Sequence, residues 1–539
     1  MHSFFSCLGS CNGRSTINSH PESATCRVAK AEVEPHPVKD QLPGIQYCVK
    51  SPPPWHEALL LGFQHYILTV GITVMIPSLL VPQMGGGNHE KAEAIQAQLF
   101  AAGVSTLLQS LFGTRLPSVV AGSYAYVLPV TSILSSNRYS SIADPRERFK
   151  ATMRAVQGAM IIAGCFQIAV GFLGLWRNIT RLFSPLSITP LVTFTGLGLY
   201  RLGFPMVSGI SKINIIFLIG AKGHVWYRYA VLLSVPLMWL YAHILTWIGL
   251  YERKPIATQN SCRTDVAGLI SSSPWIYVPY PFQWGSPTFD AGDSFTMMAA
   301  SLVTLFESTG AFFVASRYGS ATPVPPSVLS RGTGWLMKIT ASINQLDIHK
   351  KTSRCCRENA GLLATTRVGS RRVIQVSACF MILFSIFGKL GAFFASIPLP
   401  IMAALYCLFF GYAASAGLSF LQFCNLNSFR TKFILGFSFF MGVSMPQYLR
   451  EYVMGPRPGH IHGGSSWFKD ISIIIFMSHT TVTALFALVF DCTIQPKTDS
   501  ARKDSGMLWW DKFNFYCCDI RSDDFYALPC RLNEFFPSL

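Results

Sequence analysis

Residues 358–367 have the sequence Glu-Asn-Ala-Gly-Leu-Leu-Ala-Thr-Thr-Arg. This stretch sets a carboxylate, an amide, a glycine, hydroxyls and a guanidinium beside one another in a chain otherwise dominated by long apolar runs. Polar groups at membrane depth are costly unless they have partners, so such a cluster marks a substrate or ion site in a membrane protein. The stretch therefore favours a helical membrane protein with a polar site at its centre.

The composition indicates that lipid is the solvent of this chain. Of its 539 residues, 50% are hydrophobic and 13% are charged, and the mean hydropathy is +0.36. Soluble domains carry roughly 25% charged residues, so this deficit argues against an ordinary soluble protein. The formal net charge of +17 is concentrated outside the apolar runs. Because no basic module with interleaved aromatic residues accompanies it, we expect contact with anionic lipid and no binding to nucleic acid.

Apolar runs long enough for helical spans, about 20 residues each, recur through most of the chain. They lie at residues 58–81, 95–112, 155–176, 182–202, 229–250, 294–316, 373–395, 397–421, 432–446 and 471–490. Two further regions, 116–134 and 358–366, are shorter and interrupted by small or polar residues. We therefore predict an all-α polytopic protein with a disordered tail at 1–55, a transmembrane domain at 56–492 and a second tail at 493–539.

The interrupted regions occupy matching places in two halves of the membrane domain. Residues 122–126, Gly-Ser-Tyr-Ala-Tyr, lie in the third apolar region, and Glu358 opens the third region of a second half. The first region of each half also carries polar groups, Gln64 and His65 in one and Glu307 in the other. Broken spans at matching positions are the best sequence indication of a transport site between inverted repeats. We therefore predict such a repeat, with its site between the halves.

The polar groups of these regions have chemical roles as well as structural alternatives. Burial disfavours a charge on Glu307, so this residue is a candidate proton carrier and ligand acceptor, or else a structural partner of another helix. Glu358 and Asn359 can face one planar ligand, or else form the cap of a short cytoplasmic helix. Tyr124 can stack on a flat base or pack in the core.

The remaining polar positions have weaker indications. Gln64 and His65 lie in mid-span, where ligand contact and ordinary packing are both open. Gly361 allows another backbone to approach closely, and Thr366 and Arg367 are expected to fix the end of the segment. The sequence contains no nucleophile–base motif of a hydrolase and no metal-ligand cluster, so we expect neither an enzyme nor a cofactor or metal.

The motif Glu-Asn-x-Gly-x-x-x-x-Thr-Arg at 358–367 resembles that of the nucleobase–ascorbate transporter family, in the xanthine/uracil permease superfamily. The resemblance covers nearly the whole chain from residue 41 onward. Stretches similar to the plant branch are 62–66 Gly-Phe-Gln-His-Tyr, 112–117 Phe-Gly-Thr-Arg-Leu-Pro, 307–310 Glu-Ser-Thr-Gly, 368–373 Val-Gly-Ser-Arg-Arg-Val and 423–428 Phe-Cys-Asn-Leu-Asn-Ser.

This resemblance implies a fold of fourteen membrane segments in two inverted sevens, with short extended segments in the third and tenth spans. It implies a core domain at 56–176 and 294–421 beside a gate domain at 182–250 and 432–490. It also implies a homodimer, which we place in the plasma membrane. Plant-type members of the family resemble proton symporters of purines and pyrimidines, and ascorbate is the alternative substrate.

Site residues follow from the resemblance position by position. Glu307 and Glu358 match the two side chains that hold the base, and Tyr124 matches the aromatic residue that flanks it. His65 matches the polar residue of the first span, and Asn359 matches the amide of the motif. Uptake of a nucleobase held between Glu307 and Glu358, coupled to a proton at Glu307, is therefore the leading functional prediction.

The largest departure from the family pattern lies just before the motif, in a polar segment at 336–357. This segment holds the charged residues Lys338, Asp347, Lys350, Lys351, Arg354 and Arg357. A single charge at a helix centre costs about 2.5–3.5 kcal/mol on the insertion scale. The region of the sixth span, 207–222, is also short.

Two outcomes follow for the polar segment. It can stay outside the membrane, displace Glu358 and leave a transport-impaired protein that acts by dimerising with intact relatives. Alternatively, residues 332–346 enter as a short helix and preserve the site. Of these two, we favour impaired transport.

Overall fold

Helices account for most of this fold because a backbone in lipid has no water to satisfy its N–H and C=O groups. The computed structural model describes residues 44–134, 137–206, 228–255, 258–259, 262–264, 273–280, 283–322, 324–343, 353–355, 357–454, 466–494 and 526–528. The predicted tail as far as residue 43, the short region 207–222 and residues 344–352 of the polar segment lie outside the described residues.

The first half of the chain contains eight described helices and one strand. They are α1 Trp55–Met84, α2 Asn88–Leu111, β1 Val120–Gly122, α3 Val127–Leu134, α4 Asn137–Ser140, α5 Pro145–Phe172, α6 Leu175–Arg181, α7 Pro185–Leu197 and α8 Ala230–Trp247. Short 3-10 turns lie at Tyr124–Tyr126, Tyr200–Leu202 and Phe204–Met206. Proline begins α5 and α7, where its missing N–H and fixed φ suit the first helical turn.

The second half contains nine described helices and one strand. They are α9 Ala291–Tyr318, α10 Pro326–Ile343, β2 Ser353–Cys355, α11 Arg357–Thr366, α12 Arg371–Ile386, α13 Gly388–Ala395, α14 Leu399–Leu418, α15 Phe429–Met454, α16 Ser466–Phe476 and α17 His479–Thr493. A 3-10 turn, Ser419–Phe423, follows α14.

Helix α9, which carries Glu307, begins at a well-defined cap. The Asp290 carboxylate accepts a hydrogen bond from the backbone N–H of Asp293 at 3.1 Å and another from Arg138 at 2.8 Å. The Asp293 N–H, and after it the Arg138 guanidinium, hold the pKa of Asp290 below its usual value. Arg138 thereby ties α4 to the start of α9.

Five helices in the described part of the chain are long and apolar enough to cross a membrane. They are α1, α5, α8, α9 and the segment Leu399–Phe423 formed by α14 and its 3-10 turn. Two bent pairs also qualify: α6 with Pro185–Met206, at 110°, and Asp470–Phe476 with α17, at 81°. The prediction of an all-α polytopic membrane protein is confirmed.

The predicted span 471–490 is interrupted rather than continuous. The 81° bend falls between Phe476 and His479, and the Ser478 side chain accepts a hydrogen bond from the backbone N–H of Thr481. A serine in this position starts a new helix by satisfying one of its first N–H groups. Hydropathy alone does not reveal such a break, because both pieces are apolar.

The interrupted region 116–134 and the polar segment that precedes the motif meet in a short antiparallel strand pair. Strand β1 pairs with β2 in the register Val120 to Cys355, Ala121 to Arg354 and Gly122 to Ser353. The turn Tyr124–Tyr126 follows β1, and α11 follows β2. As predicted, the third region contains a short extended segment, β1. Residues 358–366 are helical, and the second extended segment, β2, lies just before this region. The pairing of the two strands brings Tyr124 and the motif helix into one neighbourhood.

Helices from the two halves interleave around this pair. Helix α12 packs on α1 and α2, α9 and α10 pack on α5, and α14 packs on α7. Helix α11 contacts α1, α9 and α14. Its contact with α14 is close, because a Cβ placed on Gly361 would lie 2.4 Å from the backbone oxygen of Phe409. The core and gate ranges remain a prediction.

Candidate substrate site

A cavity of about 590 Å³ lies between the Tyr124–Tyr126 turn, α9, the start of α11 and the α16–α17 bend. Pockets for small molecules have volumes of roughly 300–1,000 Å³ and a mainly apolar lining with a few placed polar groups. This cavity fits that description. Its polar and charged lining residues are Gln83, Tyr124, Thr131, Arg201, Glu307, Arg357, Arg450, Ser478, His479 and Thr480.

Glu307 lies at the cavity in an ion pair. Its Oε1 is 2.8 Å from Nη2 of Arg357, and its Oε2 accepts a hydrogen bond of 3.4 Å from the Ser123 hydroxyl. The other terminal nitrogen of Arg357 donates to the backbone oxygen of Thr195 at 2.6 Å. Only 1% of Arg357 is exposed. A buried ion pair of this kind stabilises the ionised form of both partners.

The Tyr124–Tyr126 turn forms one wall of the cavity. Ser123 caps the turn by accepting a hydrogen bond from the N–H of Ala125, and the Tyr126 hydroxyl lies 3.2 Å from the Thr304 hydroxyl on α9. Tyr124 itself is half-buried and lines the cavity. The turn is thus fixed to α9 on both sides of Tyr124, which lines the same cavity as Glu307.

His65 and Asn359 are joined within a buried network behind the cavity. The Nδ1–H of His65 donates to Oδ1 of Asn359 at 2.7 Å, and Nδ2 of Asn359 donates to the Thr69 hydroxyl at 2.9 Å. That hydroxyl in turn donates to the backbone oxygen of His65. The network ties α11 to α1, and it assigns each polar atom of Asn359 a partner.

Breaking this network is expected to destabilise the helix packing. Asn359→Ala leaves the His65 N–H and the Thr69 hydroxyl without their buried partner, so we expect a loss of about 1–3 kcal/mol of stability. His65→Ala is expected to cost a similar amount, and the double variant less than the sum. Thermal unfolding of the detergent-purified protein measures all three. Fully additive losses would show that the two residues are not coupled.

Glu358 and Gln64 are buried, but neither is among the described residues that line the cavity. Glu358 is 1% exposed and directly follows the cavity-lining Arg357 on the first turn of α11. The Gln64 amide donates to the backbone oxygen of Arg228 at 2.9 Å and accepts from the backbone N–H of Val231. Gln64 therefore joins α1 to the start of α8.

The polar segment before the motif does not bring Glu358 to the protein surface. Residues 332–343, the described part of the predicted short helix 332–346, belong to α10, and Leu336 is fully buried. Both Arg357 and Glu358 are then buried at the start of α11. Arg357, which ends the polar segment, and Glu358, which follows it, are therefore both accommodated inside the helical bundle.

The last motif residues lie at the end of α11. The Thr366 hydroxyl donates to the backbone oxygen of Leu362 at 2.9 Å, within the same helix. Arg367 adopts the left-handed conformation with φ of +55°, and its backbone oxygen accepts from the N–H of Gln46. The helix therefore stops where the segment before α1 crosses it.

Several residues of the site do not stand out in the sequence. In the sequence, Arg357 is only one of the charged residues of the polar segment. Ser123 is only one residue of the Gly-Ser-Tyr-Ala-Tyr stretch. His479 stands within an apolar run, and its Nδ1 lies 2.8 Å from the backbone oxygen of Gly442. The position of Arg357 directly before Glu358 is the one available signal, because it places a guanidinium beside the motif.

Comparison with known proteins agrees with these features. Residues 56–451 match the family model described as "Permease family" (Xan_ur_permease). The chain is 55% identical over 520 residues to nucleobase-ascorbate transporter 7 of Arabidopsis thaliana, covering 94% of this chain and 96% of the relative. The chain belongs to the nucleobase–ascorbate transporter family. The predicted membership is confirmed, and the chain is a transporter-family membrane protein and no enzyme.

Other relatives of this family member are similarly close along their whole length. It is 55% identical over 518 residues to nucleobase-ascorbate transporter 5 of Arabidopsis thaliana, covering 94% of this chain and 98% of the relative. It is 50% identical over 517 residues to nucleobase-ascorbate transporter LPE1 of Zea mays, again covering 94% and 98%. The similarity thus extends over nearly the whole of this chain and of each relative.

Proposed function

We propose that this family member is a secondary active transporter that takes up nucleobases by proton symport. The observation that carries the proposal is the cavity, whose lining includes both the carboxylate residue Glu307 and the aromatic residue Tyr124. In this proposal the base lies between Glu307 and Glu358, with Tyr124 flanking it. The names of the relatives, nucleobase-ascorbate transporters, support this class of substrate.

A nucleobase suits the chemistry of this cavity. Its edge carries ring N–H donors, which a carboxylate accepts, and its flat face can stack on an aromatic ring. Glu307 supplies the acceptor and Tyr124 the ring. Glu358 contributes from the buried first turn of α11, one residue beyond the cavity lining. His65 and Asn359 hold α11 against α1 and so position that turn.

The environment of Glu307 supports the proposed proton coupling. Its carboxylate is buried and paired with Arg357, so it takes up a proton only when the guanidinium moves or another group takes its place. Binding of a base and of a proton can thus depend on each other at a single side chain. We further propose a homodimer in the plasma membrane, as in the family pattern.

Uptake by cells that lack their own nucleobase transporters tests the proposal. We expect cells expressing the chain to accumulate radiolabelled uracil, adenine or xanthine above vector controls. We also expect a protonophore to abolish the accumulation, because a symporter concentrates its substrate only while the proton gradient lasts. Accumulation that survives the protonophore would contradict proton symport while leaving nucleobase transport in place.

Impaired transport is the second candidate function, and the Arg357–Glu307 ion pair favours it. The guanidinium holds the carboxylate oxygen that a neutral base would otherwise use. A chain that reaches the membrane and co-purifies with an intact relative, but accumulates none of the three bases, would support this function. Accumulation of radiolabelled ascorbate alone would instead assign the third candidate substrate.

A further inference from the structure

The charge of the cavity lining is opposite to what a carboxylate-centred site suggests. Three arginines, Arg201, Arg357 and Arg450, lie among the described lining residues, against a single carboxylate, Glu307. That carboxylate is already paired with Arg357 at 2.8 Å. The lining therefore carries an excess of positive charge, and a low-dielectric cavity focuses the field of such an excess on its contents.

Arg357 is the best positioned of the three arginines to act on a ligand. It is 1% exposed, and its guanidinium bridges α11 to Glu307 on α9 and to the backbone of Thr195 on α7. These contacts fix its orientation at the cavity wall. A held guanidinium recognises carboxylates and similar planar anions well, because its N–H donors form a rigid fork.

A neutral base and an anionic base interact differently with the part of the cavity lining that contains Arg357. A neutral base must compete with Arg357 for the Glu307 oxygen, and a hydrogen bond between charged groups is roughly twice as strong as one between neutral groups. An anionic base does not need Glu307 as its acceptor. It can pair with the guanidinium directly, and the excess of arginine offsets the loss of its hydration.

We propose that the cavity prefers nucleobase-like heterocycles that carry a negative charge, and that Arg357 is the residue that sets this preference. The proposal rests on the proposed function, since it assigns a charge class to the ligand of the same site. It makes Arg357, rather than either carboxylate, the specificity-determining residue of this chain.

A matched set of pyrimidines tests the preference. Orotate is uracil with a carboxylate on its sixth ring atom, and 6-methyluracil carries a neutral, smaller methyl group at that atom. Equilibrium binding of both is measured to the full-length protein in lipid nanodiscs, for the wild type and for Arg357→Gln, Arg357→Lys and Arg253→Gln. Arg253 is exposed, so its variant controls for the loss of one positive charge.

We expect the wild type to bind orotate more tightly than 6-methyluracil. Arg357→Gln is expected to weaken orotate binding by about 10- to 100-fold, as for one charge-assisted hydrogen bond, and to strengthen 6-methyluracil binding, because the competitor for the Glu307 oxygen is gone. Arg357→Lys, which keeps the charge but lacks the guanidinium fork, is expected to retain part of the preference, and Arg253→Gln all of it. If Arg357→Gln is not monodisperse, the test uses the ratio of the orotate affinity to the 6-methyluracil affinity, compared between the wild type and Arg357→Lys.

Three results overturn the preference. The first is a wild type that binds 6-methyluracil as tightly as orotate, and the second is an equal effect of Arg357→Gln on both ligands. In either case, uptake of neutral bases by cells still supports the proposed function. Failure of the charge preference can therefore be distinguished from failure of nucleobase transport. The third is a wild type that binds neither pyrimidine, which overturns the preference and counts against nucleobase transport as well.

Discussion

Glu307→Gln is expected to lower nucleobase accumulation at least tenfold, since a hydrogen bond to a charged group contributes about 1.5–3 kcal/mol. Glutamine keeps the size and the hydrogen-bonding oxygen of the side chain but carries neither the charge nor the exchangeable proton. It therefore removes the negative charge of the proposed base acceptor and abolishes the proposed proton carrier. Initial uptake of radiolabelled uracil, normalised to protein at the cell surface, measures the loss. Glu358→Ala is expected to cause a similar loss.

Glu307→Gln also leaves Arg357 buried without its counter-ion, and this loss alone costs about 3–5 kcal/mol of stability. Glu307→Gln combined with Arg357→Gln removes this complication, since neither charge is then present. Glu252→Gln, at an exposed position, is the matched control and is expected to match the wild type. Normal uptake by both Glu307 variants would remove Glu307 from the transport mechanism.

Gly361→Val is expected to prevent α11 from packing. A Cβ at Gly361 would lie 2.4 Å from the backbone oxygen of Phe409 and 2.8 Å from its Cβ, so only a shift of a whole helix makes room. Overpacking of this kind costs about 1–3 kcal/mol and occasionally more, and we expect the upper end here. The measurements are thermal unfolding and the monodisperse fraction on size exclusion.

A control for this variant lies on the partner helix. Gly411 is on α14 and is exposed, and a Cβ added there would have no neighbouring atom within 4 Å among the described residues. Gly411→Val is therefore expected to leave folding nearly unchanged, and Gly411→Ala to raise helix stability slightly, because alanine is the better helix former. Equal losses at both positions would show that the close approach of α11 and α14 is not what limits folding.

The architecture is largely predictable because membrane helices leave a strong signal. The run 58–81 lies within α1, the run 294–316 lies within α9, and the interrupted regions contain β1 and the motif helix α11. Lipid makes long apolar runs helical whatever their neighbours are. Breaks inside such runs, as at Ser478, depend on local capping and do not change the hydropathy.

The site is predictable only in part, because pairing between charges is a property of three-dimensional structure. Glu307 and Tyr124 stand out by their polar chemistry in apolar surroundings, and the structure places both at the cavity. In the sequence, Arg357 is one of six charged residues of the polar segment 336–357, and nothing marks it as part of the site. Its partner Glu307 lies far away in the chain but 2.8 Å away in space, and a buried charge with a partner costs far less than one alone.

The strand pair β1–β2 also constrains when the cavity can come into existence. Its two strands come from distant parts of the chain, so β1 leaves the ribosome long before β2 is made. Until then β1 presents unpaired backbone groups, an exposed edge of the kind that favours incorrect pairing. The cavity wall is therefore assembled late in biosynthesis, and a chain terminated before residue 353 would hold Tyr124 without the helix that faces it.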